Sequence, residues 1–252
     1  MDLSPTVPQP ETTSPVVSHT PVAPAWHTVV LILVLILFSA LGARSGHPVA
    51  TNHGRIPQYI VQMIWEWLVF AYVLFGFRLS HIRLREVIGG RWESVEDVLL
   101  DIALAFGFWI AALISLSALG YALHLTGTTD VGNKIEDIRK QIGFLAPRTN
   151  VELGVFVVLS VTAGFVEEIV FRGYFQRQFS ALSRNVWIGA IVSALLFGSA
   201  HGYEGAKRML LIAIFGMMFS TLTILRKSLR PGMMAHALHD SITGLFLRFL
   251  LK

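Results

Sequence analysis

The chain has 252 residues, of which 54% are apolar and only 14% charged, and its mean hydropathy is +0.61. Soluble domains carry about 25% charged residues, so this composition excludes an ordinary soluble globule and, for most of the chain, disorder. With 0 Cys there are no disulfides, thiolate metal sites or Cys nucleophile. A net charge of +4 in so apolar a chain is expected from Lys and Arg in the loops between membrane helices rather than from nucleic-acid binding.

Residues Met1 to Ala25 are rich in Pro, Ser and Thr, lack Lys and Arg, and have no apolar periodicity. They are expected to form a disordered tail, 1–25. Ser39-Ala40-Leu41-Gly42-Ala43 resembles a small-residue cleavage site, but no positive segment precedes the apolar core, so cleavage of a signal peptide is not expected. Seven apolar runs follow: Trp26 to Gly42, Tyr59 to Phe77 with Glu66 inside it, Val98 to Leu125 with Asp101 near its start, Val151 to Phe171, Val186 to Ala200, Met209 to Leu225, and Met233 to Leu251. A membrane helix needs about 20 apolar residues. Backbone amides in lipid must be satisfied within the segment, and runs such as Val29 to Phe38 do not alternate as barrel strands do. The expected fold is all-α, a polytopic membrane bundle of about seven transmembrane helices. Its N-terminal helices and surface segments fill 26–150, and a second helical core fills 151–252. Between the runs, Arg78 to Asp97 reads as an amphipathic surface segment, and Gly127 to Asn150 as a further surface helix.

If the spans alternate, Arg78, Arg83, Arg85, Arg91, Arg177, Arg184, Arg226, Lys227 and Arg230 share a face with the N-terminus. Arg44, Arg55, Lys134, Arg139, Lys140, Arg148, Lys207 and Arg208 fall on the other. The first set sits mostly in short loops, which favours that face as cytoplasmic.

Ionisable residues inside apolar runs are costly and raise a functional-site hypothesis. Three clusters stand out. In Glu167-Glu168-Ile169-Val170-Phe171-Arg172, adjacent carboxylates point about 100° apart on a helix, and Glu168 can pair with Arg172 at i, i+4. Glu167 is left over, with the small Ala163 and Gly164 one turn away, and suits a general base. The bland alternative is a solvated helix end. Phe197-Gly198-Ser199-Ala200-His201 ends a run with a His that could equally be interfacial. In His236-Ala237-Leu238-His239-Asp240, His236 and Asp240 share a face, and Asp240 could orient the imidazole or join it on a metal; His239 is an alternative partner, and a loop-proximal polar patch the plain reading. Together the clusters supply a base, a second group for a water, and an oxyanion stabiliser from three spans.

Glu167-Glu168-x-x-x-Arg172, Phe197-x-x-x-His201 and His236-x-x-x-Asp240 resemble the three ordered motifs of the CPBP (CAAX protease and bacteriocin-processing, Abi) intramembrane proteases, which include the type II CAAX prenyl endopeptidases. The resemblance spans about Val151 to Leu251. It implies an intramembrane endopeptidase in which Glu167 activates water with His201, and His236 and the residue four later stabilise the oxyanion. Glu168 and Arg172 would be structural. Asp240 stands where the prenyl endopeptidases typically have Asn, and an ionised Asp cannot donate to an oxyanion. It would orient His236, be protonated, or ligate a metal.

The expected partners are membrane lipid and a membrane-associated peptide or lipidated protein substrate, with no nucleic acid. The expected location is a membrane, the bacterial cytoplasmic (inner) membrane first. Either no cofactor or a divalent metal such as zinc is expected, since Glu167, His201, His236 and Asp240 are acceptable ligands. The chain lacks H-E-x-x-H and G-x-G-D, and Gly198-Ser199-Ala200 lacks the final Gly of G-x-S-G. Non-catalytic alternatives are an immunity or scaffold protein of the same fold and a small proton-coupled transporter.

Overall fold

The computed structural model describes residues 20–45, 54–122, 143 and 145–250. Most of the expected disordered tail and most of the Gly127 to Asn150 surface helix lie outside the described residues. So do Lys134, Arg139 and Lys140.

The described residues are mostly helical and contain no strand. The elements are α1 (Ala25–Ser45), α2 (Ile56–Leu79), the short α3 (Leu84–Ile88) and α4 (Val95–Ala122). They continue with α5 (Asn150–Ser183), α6 (Val186–Ala200), α7 (Ala206–Arg226) and α8 (Arg230–Leu250). Five of these, α1, α2, α4, α5 and α7, are long and apolar enough to cross a membrane. The other two long helices explain why the sequence suggested seven. α6 is apolar but has only 15 residues. α8 has 21 residues but carries Arg230, His236, His239 and Asp240.

Polar contacts fix the direction of each helix. Gln178, late in α5, accepts from the backbone N–H of Val22 at 2.7 Å and of Ala23 at 3.1 Å. The start of α1 therefore meets the end of α5, and the last residues of the expected tail are packed. Ser39 donates to the carbonyl of Ser199 at 2.8 Å and accepts from Gly202 N–H at 3.0 Å, so α1 runs parallel to α6. α5 begins with a capping box. Thr149 accepts from Glu152 N–H at 3.1 Å, and the Glu152 carboxylate accepts from the N–H of Thr149 at 3.1 Å, of Arg148 at 2.7 Å and of Arg55, at the start of α2, at 2.9 Å. Arg248, late in α8, reaches Asn150 at 2.6 Å. The long helices thus alternate between two ends.

One end gathers the starts of α1, α4, α6 and α8. There the fully buried Asp101 of α4 accepts from Trp92 Nε1 at 2.7 Å and from Arg226 Nε at 2.8 Å, with Arg230 at 3.9 Å. The second polar residue noticed in an apolar run is therefore a tie between α4 and the α7–α8 corner. α3 docks on the same corner, where Leu229 N–H donates to Ile88 at 3.0 Å.

α5 is the central helix, packed by α2, α6 and α8. Its middle, Ile169–Gln176, winds as a π-helix, and all eight residues are buried. Gly164 lets α8 close on it, since a Cβ there would lie 2.8 Å from Ala237 N and Met233 O. The space that the sequence left open beside Glu167 is thus filled by α8 backbone. Outward, the helices present Leu33, Leu37, Ile64, Leu68, Ile114 and Val158 to the surroundings. Apolar exterior and polar interior are the arrangement of a protein solvated by lipid. A single cysteine introduced at Thr20, Arg184 or Lys227 should react with a membrane-impermeant thiol reagent from one side only, and one at Lys207 from the other. Labelling of Thr20 and Lys227 from opposite sides would contradict this topology.

Candidate active site

The site is built on the middle of α5 and closed by α8. Glu167 and Glu168 sit near the centre of a helix 34 residues long. α5 continues without a break past Arg172, and that continuity removes the mismatch in depth between Glu167 and His201 that a span ending near Phe171 would produce. His201 follows the last residue of the 15-residue α6, which runs back antiparallel from the end of α5.

Arg172 Nη1 donates to Glu168 Oε1 at 2.8 Å, and both side chains are 0% exposed. Arg172 Nη2 donates to the carbonyl of Gly216 on α7 at 2.9 Å. Its guanidinium lies 4.6 Å from the Phe197 ring centroid and 4.9 Å from that of Phe219. The charge is therefore held between two aromatic faces.

His236 lies between the two glutamates. Its Nδ1 is 3.1 Å from Glu168 Oε1. Its Nε2 is 3.7 Å from Glu167 Oε2 and 3.7 Å from Asp240 Oδ2. Because Glu168 is ion-paired with Arg172, it acts as an acceptor, which makes Nδ1–H the donor and turns Nε2 toward Glu167 and Asp240. The adjacent carboxylates, a quarter-turn apart, meet opposite nitrogens of one ring. Glu167 Oε2 is buried and has no hydrogen-bond partner. The Asp240 side chain is 33% exposed.

His201 is less tightly joined to this group. Its Nδ1 is 2.9 Å from the Phe197 carbonyl, so Nδ1–H donates and Nε2 is left free. Phe197 is the common wall, with its ring centroid 4.9 Å from that of His201 and 6.0 Å from that of His236. His239 does not join the site. It packs on Phe215 with centroids 4.9 Å apart, and its Nδ1 is buried without a partner.

Two residues that the motifs did not single out also face the centre. Glu66 of α2, 6% exposed, accepts from Gln62 Nε2 at 3.0 Å. It lies within electrostatic reach of Glu167 and His201. The sequence showed it as an isolated Glu in an apolar run, and that was the available signal. Tyr203, in the turn between α6 and α7, has its ring centroid 6.0 Å from that of His201 and lies within electrostatic reach of Glu167, Glu66 and Asp240. Burial first, and then these carboxylates with Glu204, push its phenol well above the usual range, so it stays neutral and can donate. Nothing in the sequence set this Tyr apart.

Among the described residues, no three His, Asp or Glu side chains are disposed to hold a metal ion. The donor set considered from the sequence, Glu167, His201, His236 and Asp240, does not converge as a ligand shell here.

Fold and site together define an integral membrane protein with an acid–imidazole centre inside a helical bundle. Residues 149–242, from the Thr149 cap to the middle of α8, match the family described as Type II CAAX prenyl endopeptidase Rce1-like. This is the family that the three motifs resemble, and the match covers the segment that carries them. Neither curated proteins nor solved structures gave a significant match.

Breaking a buried ion pair strands a charge and costs roughly 3–5 kcal/mol. Arg172→Met and Glu168→Ala should therefore lower the melting temperature and yield in detergent, with activity lost as a consequence. An unchanged melting temperature in both variants would show that the pair does not hold the bundle.

Proposed function

We propose that the protein is an intramembrane endopeptidase acting on a membrane-associated peptide or lipidated protein in the bacterial cytoplasmic membrane. All seven long helices lie in the bilayer, and the Arg226 to Arg230 corner is cytoplasmic. The observation that carries this reading is the unpaired, buried Glu167 Oε2 set 3.7 Å from His236 Nε2. A carboxylate in that position is not needed to neutralise Arg172, which Glu168 already does.

In the proposed reaction, Glu167 takes a proton from a water that also lies against His201 Nε2. The hydroxide adds to the carbonyl carbon of the scissile bond. The oxyanion forms beside His236, whose Nε2–H donates to it when the ring is protonated. Glu167 then passes its proton to the leaving nitrogen as the C–N bond breaks. Asp240 does not have to donate in this scheme. Its carboxylate beside Nε2 offsets the charge of the protonated ring, which gives the Asp at this position a role that Asn could not fill in the same way. No step is routed through a metal.

General acid–base catalysis is worth roughly 10²–10⁴-fold. Glu167→Gln should lose at least that much cleavage of an internally quenched membrane peptide while keeping the wild-type melting temperature. If Glu167→Gln still cleaves and a well-folded Glu168→Gln does not, the base is assigned to the wrong glutamate. If both cleave, the glutamate mechanism is wrong for this protein.

A further inference from the structure

The corner where α3 meets the turn from α7 into α8 holds a cleft that the reaction above does not use. Gly89 and Gly90, with φ of 110° and 81°, turn the chain after α3 and set Arg91 and Trp92 at the cleft beside it. A Cβ at Gly89 would lie 2.8 Å from Ser228 Cα, so the turn approaches the α7–α8 connection as only glycine allows. Leu229 N–H and the Ser228 hydroxyl donate to the Ile88 carbonyl at 3.0 Å and 3.2 Å. Arg177 of α5 donates to the Val87 carbonyl at 2.8 Å. Arg230 donates to the Gly90 carbonyl, and its guanidinium lies 4.7 Å from the Trp92 ring centroid. The walls are therefore fixed. They enclose an open cleft of about 510 Å³, with Leu84, Ile88 and Trp92 as apolar lining and Arg85, Arg91 and Arg230 as cations.

The charge of this cleft is not balanced from within. Arg83 is paired with Glu86 at 2.6 Å, and Arg226 and Arg230 share Asp101. Arg85 and Arg91 are exposed and make no ion pair among the described residues, and among these no acid lines the cleft. Exposed arginines alone are ordinary at the end of a membrane bundle. Here two unmatched ones border an apolar floor, beside a Trp92 that is 42% exposed. The cleft sits where the apolar span α7 ends, the depth of lipid headgroups, at which Trp is favoured. A free anion or an acidic peptide would engage the cations and leave the floor bare. A phospholipid engages both, with its phosphate on the guanidinium groups and its glycerol and first methylenes on Leu84 and Ile88.

We propose that this cleft binds the headgroup of an anionic phospholipid from the surrounding bilayer. Arg85 and Arg91 hold the phosphate, and Arg230, already fixed by Trp92 and Gly90, lines the same cleft. A lipid seated there bridges α3 to the first residue of α8, the helix that carries His236. The site is independent of the proteolytic reading, since none of its residues belongs to the acid–imidazole centre.

The test titrates the full chain, delipidated in a neutral detergent, with dioleoyl phosphatidylglycerol and reads bound lipid by native mass spectrometry. Wild type should bind one such lipid well above the background of further adducts, and should bind dioleoyl phosphatidylcholine no better than that background. Arg85→Gln with Arg91→Gln should weaken the phosphatidylglycerol site roughly 30-fold, as expected for two cations near a lipid phosphate. Both side chains are exposed and unpaired, so the melting temperature should not change. Arg85→Lys with Arg91→Lys keeps the charge and should retain most of the affinity. Arg78→Gln with Arg184→Gln removes the same charge from the same end of the bundle outside the cleft, and should leave binding intact. Equal loss in the two Gln pairs would mean diffuse attraction to a basic surface and overturns the proposal. So does displacement of the lipid by inorganic phosphate at matching concentration, which would make the cleft a site for free phosphate, or binding of phosphatidylcholine as tight as that of phosphatidylglycerol.

Discussion

A full positive and a full negative charge lie completely buried where Arg172 meets Glu168, one turn apart on the central helix, and most of the bundle is arranged around them. Such a pair is stable only if its remaining donors and acceptors are met. Arg172 reaches the Gly216 carbonyl of α7 and is sandwiched by Phe197 of α6 and Phe219 of α7. Glu168 is shared with His236 of α8. Three helices are thus tied to α5 through one ion pair. The same pair converts Glu168 from a possible base into a fixed acceptor, and so sets which nitrogen of His236 faces the chemistry. Glu168 Oε2 and Arg172 Nε are left without a hydrogen-bond partner among the described residues, a remaining cost of burying the pair that the other contacts offset.

The π-helical stretch that follows fits this arrangement. An α-helix on the surface of a bundle buries one stripe, whereas Ile169–Gln176 buries every residue and is contacted from all sides. The wider π turn re-aims the side chains after Glu168, and such segments are frequent at functional sites. The Phe197 and Phe219 rings cover the ion pair, while Asp240, 33% exposed, lies on the more open side of the imidazole. The ion-paired Glu168 and the unpaired Glu167 are kept apart by the width of a single histidine ring.

The local parts of this site were legible in the sequence because they follow from helical spacing. Glu168 and Arg172 at i, i+4, His236 and Asp240 at i, i+4, and Phe197 and His201 at i, i+4 are each fixed by 3.6 residues per turn. Spans were readable for a similar reason, since apolar length in lipid leaves few alternatives to a helix. What could not be read was the set of contacts between helices. That His236 would straddle Glu167 and Glu168, that Gly164 would be filled by α8, and that Glu66 would lie near Glu167 across more than a hundred residues of chain all depend on helix packing, which has no short-range signature. Glu66 and Asp101 looked alike in the sequence, each a lone acid in an apolar run. The structure separates them: Asp101 is matched by Trp92 and Arg226, whereas Glu66 accepts from the neutral Gln62 within electrostatic reach of Glu167. The span count was blurred where function intrudes, because α8 carries the polar residues that lower its apolarity.

The account depends most directly on His236 being held by Glu168 through Nδ1, with Nε2 left for Glu167 and Asp240. Nitrogen NMR of histidine-labelled protein in lipid bilayers tests that arrangement. The account predicts one histidine whose Nδ1 carries a proton in a strong hydrogen bond to a carboxylate, lost from the spectrum in His236→Gln and shifted in a folded Glu168→Gln, with the His201 signals unmoved. A His236 signal that is indifferent to Glu168, or whose proton resides on Nε2 alone, would contradict it.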